Sequence, residues 1–148
     1  MDKYQELIDL ISKSADKAEF ADYGNGVSDV WIEKAESRLG FELPISYKWW
    51  LKNYGGGEIY GEEIFSIYEI DFDEVIGGDI VYMHELNQKN HNFKSNELII
   101  CESNDDVFYF DLNVKNADGD FPVFSLNKKE LYAKDFIDFL RKRIIEVQ

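Results

Sequence analysis

The chain has 148 residues, 45% of them hydrophobic and 16% aromatic, and a mean hydropathy of -0.40. That length suits a single domain over 1–148, and that composition supports a packed core and excludes a disordered chain. Thirty acidic residues against 16 basic ones give a formal net charge of -14, a field that repels phosphate backbones and anionic lipids. Direct nucleic-acid binding and membrane attachment are therefore not expected, and a basic protein is the partner such a field would attract. Acidity for solubility alone would look the same.

No apolar run is long enough for a transmembrane helix. The opening Met1-Asp2-Lys3-Tyr4-Gln5-Glu6 has neither a basic leader nor an apolar h-region, so no secretory signal is expected. Cys101 is the only cysteine, which rules out an internal disulfide and points to a reducing cytoplasm.

Tyr4, Leu7, Ile8, Ile11, Ala15 and Ala18 recur at three- and four-residue steps and predict a helix over roughly 3–18. Asp22-Tyr23-Gly24-Asn25-Gly26 reads as a loop. Ser28 suits an N-cap, with Asp29 near the positive end of a second helix that runs to Leu39 and has Ile32, Ala35 and Leu39 on one face. A sharp corner follows. Gly40 suits the left-handed position that ends a helix, Phe41 can cover the turn, and Pro44 suits the first turn of a third helix over Pro44–Asn53. Gly55 to Gly57 stop that helix. Trp49 and Trp50 adjoin, so they point to different faces, one of them toward the core.

Ile64–Tyr68 reads as a strand, and Gly77-Gly78 breaks the chain again. Asp79 can cap a helix containing Ile80, Val81, Met83, His84 and Leu86. Leu98–Cys101 and Val107–Phe110 flank the turn signal Asn104-Asp105-Asp106 and predict a hairpin. Asn116-Ala117-Asp118-Gly119-Asp120 is a further turn before a last strand at Phe121–Leu126. Phe136, Phe139, Leu140, Ile144 and Val147 mark a closing helix, and Arg141, Lys142 and Arg143 in its last turns support the helix dipole. Helices, then strands, then a helix predict an α+β fold with a mostly antiparallel sheet.

The chemistry-bearing motifs fail in turn. His84 and His91 are wrongly spaced for a zinc helix, and Cys101 sits in an apolar strand pattern without a nucleophile elbow. Gly55-Gly56-Gly57 is followed by Glu58 rather than the lysine of a phosphate loop. The segment from Asp111 to Asp120 places Lys115 and Asn116 where a calcium loop needs an oxygen ligand and a glycine. No cofactor or metal is expected. Acids cluster from Glu58 to Glu74 and interleave with Tyr60, Phe65, Tyr68 and Phe72. That pattern suits a protein-binding surface of rigid anchors with an acidic rim, and equally the solvated faces of ordinary strands and loops.

Ser28, Glu36, Leu39, Gly40, Leu43, Pro44, Tyr47, Leu51, Gly55 and Gly56 together resemble the SUKH superfamily (Smi/Knr-like). Asn104–Asp111 is similar to its later turn-strand-aspartate segment, and Phe136–Leu140 to its closing helix. Tyr54 before the glycines, and Asn104-Asp105 in the later turn, depart from the usual pattern. The resemblance implies an α+β fold with a twisted sheet flanked by helices, and no general catalytic residues. The superfamily includes fungal regulators of cell-wall synthesis and bacterial immunity proteins that neutralise polymorphic toxins, often nucleases. The implied function is a cytoplasmic immunity protein, not an enzyme, that masks the active site of a basic cognate toxin. A non-catalytic regulatory or scaffolding module is the alternative. The residues expected to recognise the partner are Glu58, Tyr60, Glu62, Glu63, Asp71, Asp73 and Glu74, with Trp49, Asp105 and Asp106 beside them.

Overall fold

The structure, a computed structural model, describes residues 2–146. In chain order its elements are α1 (Lys3–Lys13), β1 (Ala18–Phe20), α2 (Asp29–Leu39), α3 (Ile45–Tyr54), β2 (Gly57–Ile59), β3 (Glu62–Ile64), α4 (Ile80–Lys89), β4 (Glu97–Glu102), β5 (Val107–Asp111), β6 (Val123–Ser125), β7 (Glu130–Ala133) and α5 (Phe136–Glu146). The seven strands lie side by side in sequence order and every neighbouring pair is antiparallel. The architecture is α+β, as the element pattern predicts.

The helix ends follow local chemistry. The Ser28 hydroxyl accepts from the Trp31 N–H at 3.4 Å and opens α2. Gly40 closes it at φ +87° and Gly55 closes α3 at φ +78°, left-handed conformations that glycine enters without a Cβ penalty. Asp79 caps α4 by accepting from Val81 and Tyr82 N–H, at 2.9 and 3.1 Å.

Strand alternation divides the sheet into two faces. Ala18, Ile59, Ile64, Cys101, Phe108 and Phe110 are buried on the inner face. Phe139 meets Phe108 at 5.2 Å, and Tyr47 meets Phe110 at 6.1 Å, so α5 and α3 lie against this side. Trp50 is the core tryptophan of the adjoining pair, packed on Phe136 at 5.3 Å.

Four expectations need correction. The first helix ends at Lys13 rather than near residue 18. Residues 14–17 turn, and Ala18 pairs with Ile59 in β1. Two alanines at helical spacing carry too little surface to distinguish a continued helix from a turn and a short strand. Pro44 stands at the N-cap, one residue before α3, and the helix continues to Tyr54. The strand expected over Ile64–Tyr68 lies earlier, because a tight turn at Tyr60-Gly61 folds β2 onto β3, while Ser66 joins Asp79 by an isolated parallel bridge. The last strand was expected at Phe121–Leu126. It shortens to Val123–Ser125, since Pro122 has no N–H to donate, and a further strand, β7, follows it. Val147, assigned to the face of the closing helix, lies outside the described residues.

Candidate partner-binding surface

Several family-like residues hold one corner together. The Glu36 carboxylate accepts from the Leu43 N–H at 2.7 Å and pairs with Lys48 at 3.2 Å, which ties the end of α2 to the start of α3. The Tyr47 hydroxyl is buried and donates to the Phe65 carbonyl at 2.6 Å, fixing α3 to the chain beyond β3. Burial pushes that phenol well above its ordinary pKa, so it remains a donor. The glutamate and the tyrosine are scaffold.

The ten residues expected at the interface fall in four places. Glu58 and Glu63 sit directly opposite each other on β2 and β3, pointing away from the inner face. Glu62, one residue earlier, points inward and binds Arg143 of α5 at 3.0 Å. Tyr60 occupies the hairpin turn at φ +52°, and its hydroxyl donates to the Ile144 carbonyl at 3.3 Å. That half-buried ring links the hairpin to α5.

Asp71, Asp73 and Glu74 are exposed on the segment between β3 and α4. Asp73 pairs with Arg38 at 2.9 Å, and the same guanidinium binds Glu85 at 2.8 Å, which raises the Arg38 pKa further. Asp71 accepts from the Asp73 N–H at 2.9 Å and so shapes its own turn. Beside them Trp31, Lys34, Ser37 and Phe72 line an open depression of about 630 Å³, where Phe72 meets Trp31 edge-on at 5.6 Å.

The third place is the β4–β5 turn. Asp106 accepts from Asn127 N–H at 3.0 Å and from the Ser125 hydroxyl, so its carboxylate organises two loops. The carbonyl of Asp105 accepts from the Asn127 side chain, and its own carboxylate is exposed. Trp49 stands apart on α3, half-buried between Tyr4 at 4.9 Å and Tyr54 at 6.0 Å.

The sequence reading missed Glu19. It lies on β1 directly opposite Glu58, so three carboxylates, Glu19, Glu58 and Glu63, form one row across three strands. Once β1 is taken for the end of a helix, nothing in the sequence places Glu19 there. Near this row the Glu63 carboxylate accepts from the Tyr68 hydroxyl, and that hydroxyl accepts from the Gly78 N–H at 2.9 Å. Burial and the neighbouring carboxylate push the Tyr68 phenol up to about 12.

Cys101 lies on the inner face, and burial pushes its thiol up to about 12, which leaves it protonated and inert near neutrality. Burial lowers the pKa of His84, which packs edge-on against Phe41 at 5.6 Å. Among the described residues no three His, Cys, Asp or Glu side chains are grouped to hold a metal ion, and no helix is long and apolar enough to cross a membrane.

A seven-stranded antiparallel sheet, helices on its inner face and acidic clusters at its periphery define an α+β domain of the SUKH class. Residues 29–140 match the SUKH_6 family, described as SMI1-KNR4 cell-wall, and the chain belongs to that family. The family is associated with immunity proteins, generally non-catalytic proteins that act by binding a protein partner. The matched span begins at α2, so α1 and β1, with Glu19, precede it.

Proposed function

We propose that the chain is a cytoplasmic immunity protein that binds a cognate polymorphic toxin, a nuclease domain with a basic cleft, and blocks it by covering its active site. Glu19, Glu58 and Glu63 support this reading, because among the described residues none of them has a lysine or arginine within salt-bridge distance. A nuclease cleft built to hold phosphates presents the opposite charge, and such complementarity speeds encounter and excludes wrong partners. A stoichiometric complex of this kind buries about 1,600 Å² in total. Exposed Asp71, Glu74 and Asp105 widen the acidic field. Asp73, Glu62, Asp106 and Tyr60 contribute chiefly by holding their segments in place.

The test is genetic and then biochemical. The C-terminal domain encoded by the adjacent open reading frame is expressed with and without this chain. Toxicity of that domain alone, with rescue and a stable complex when both are made, supports immunity. Toxicity without rescue, or no binding between the purified proteins, overturns it.

A further inference from the structure

We propose that the docking surface is the outer face of the sheet, and that the partner lays across it a segment with a basic end over β1–β4 and an apolar end over β5–β7. The proposal rests on the immunity reading for the identity of the partner, and on the geometry of the face for its chemistry.

Two cross-strand rows define that face. The first is Glu19, Glu58 and Glu63, and Glu102 extends it, because Ile64 pairs with Cys101 and so sets Glu63 beside Glu102. The second, on the same face of β5 as Val107, is Tyr109, Phe124 and Leu131, successive partners across β5, β6 and β7, while Ile99, the β4 partner of Tyr109, is buried. Tyr109 stacks on Phe124 at 5.8 Å, both are half-buried, and Leu131 is 55% exposed. An acidic half over β1–β4 and an apolar half over β5–β7 therefore meet at β4. None of the seven strands contains a lysine or an arginine.

The acidic row is costly to the free protein. Side chains directly opposite on neighbouring antiparallel strands stand about 5 Å apart, and like charges so placed are destabilising. The Tyr68 hydroxyl binds Glu63, but a neutral phenol does not cancel its charge. A cation docked between Glu19 and Glu58 would relieve the repulsion, and the apolar half would take side chains at the other end of the segment. A second copy of this chain fits poorly, since it would set the same carboxylates against each other in a molecule already at -14.

Mapping needs a probe of defined chemistry. An eight-residue peptide with lysines in its first half and tryptophans in its second is titrated into the isotope-labelled chain at low salt, and amide shifts are followed by NMR. Shifts are expected on β1, β2, β5 and β6. The double variant Glu19→Lys, Glu58→Lys should bind at least ten-fold more weakly, and Leu131→Ser about three-fold more weakly. Asp71→Asn with Glu74→Gln, which only thins the surrounding field, should weaken binding less than the face variants do. Every variant is first checked for cooperative unfolding, and Glu58→Gln replaces Glu58→Lys if the double variant is not folded. Shifts centred on the β3–α4 segment, or face variants that bind within two-fold of the parent, overturn the proposal.

The same variants are then tested against the toxin domain from the adjacent reading frame. If the parent binds that domain and the face variants bind it unchanged, the docking proposal fails and immunity stands. If the parent ignores the domain while the peptide maps to the face, immunity fails and the docking surface stands.

Discussion

Glu62 and Glu63 are adjacent, identical in chemistry and opposite in fate. The first points to the inner face and is joined to Arg143 of α5 at 3.0 Å, while the second points outward into a row of like charges. The same contrast holds over much of the sheet, though not at Ile99, an outer position that is buried. Inner positions such as Cys101, Phe108 and Phe110 are covered by helices and sealed from solvent, whereas outer positions such as Glu19, Glu58 and Leu131 have no such cover. Acidity therefore does not mark a partner surface in this molecule. Asp79, Asp106 and Asp135 each turn their carboxylate to backbone N–H groups and so serve the fold first.

The largest effect should come from emptying the inner side. Phe136 is fully buried, stacked with Phe139 at 5.6 Å and packed on Trp50 and Tyr47. Phe136→Ala should cost about 3–5 kcal/mol in urea unfolding, through lost transfer energy and a residual cavity. Phe124→Ala on the outer face should cost far less. Equal losses at the two sites would show that the outer strip is part of the core, and would remove the contrast.

Next come the carboxylates that hold the scaffold. Glu36→Ala leaves the Leu43 N–H without its acceptor at the α2–α3 corner, at a cost of about 1–3 kcal/mol. Asp79→Ala removes the cap of α4 and the acceptor of the Tyr68 N–H at 3.0 Å, and should cost about 1–2 kcal/mol. If both variants unfold with the parent's midpoint, these acids are not scaffold and the division between working and free carboxylates falls.

Acid titration sharpens the same division. Burial pushes the Asp138 carboxyl up, but hydrogen bonds from Arg141 and the Lys134 N–H outweigh it, and the net pKa is lowered. A lowered folded value stabilises the fold above the unfolded value of about 3.9, and that contribution is lost as pH falls through the folded value. Asp138→Asn should therefore be about 1 kcal/mol less stable than the parent near neutrality, converging with it in acid. A gap that persists to the lowest pH would mean that shape, not charge, sets the difference.

Much of the scaffold was legible because its signals are local. Ser28, Gly40 and Asp79 each announce a helix end within a few residues, and the α+β order follows from where the periodicity changes. The helix ending at Lys13 and strands β1, β2 and β7 were not legible, because three- and four-residue strands carry too little alternation to register. That loss reached the candidate surface. Without β1 and β2, Glu19 cannot be placed beside Glu58, and Glu62 cannot be told from Glu63. Pairing register, which sets Glu19 opposite the distant Glu58, decides which acids meet, and a single sequence does not display it.

The smallest expected effect has the opposite sign. Glu58 stands between Glu19 and Glu63 and has like charge on both sides. Glu58→Gln keeps the shape and removes the central charge, so it should raise the stability of the free chain by about 0.2–1 kcal/mol, more at low salt than at high salt. Glu62→Gln, one strand over and facing inward, should lower stability by weakening its bond to Arg143. The pair is best measured together, by urea midpoints at two salt concentrations. Opposite signs would show that the outer row is strained in the free protein, as a surface kept for a cationic partner would be. A loss at both positions would mean that Glu58 has a stabilising role in the free fold, and the repulsion argument for the outer face would be withdrawn.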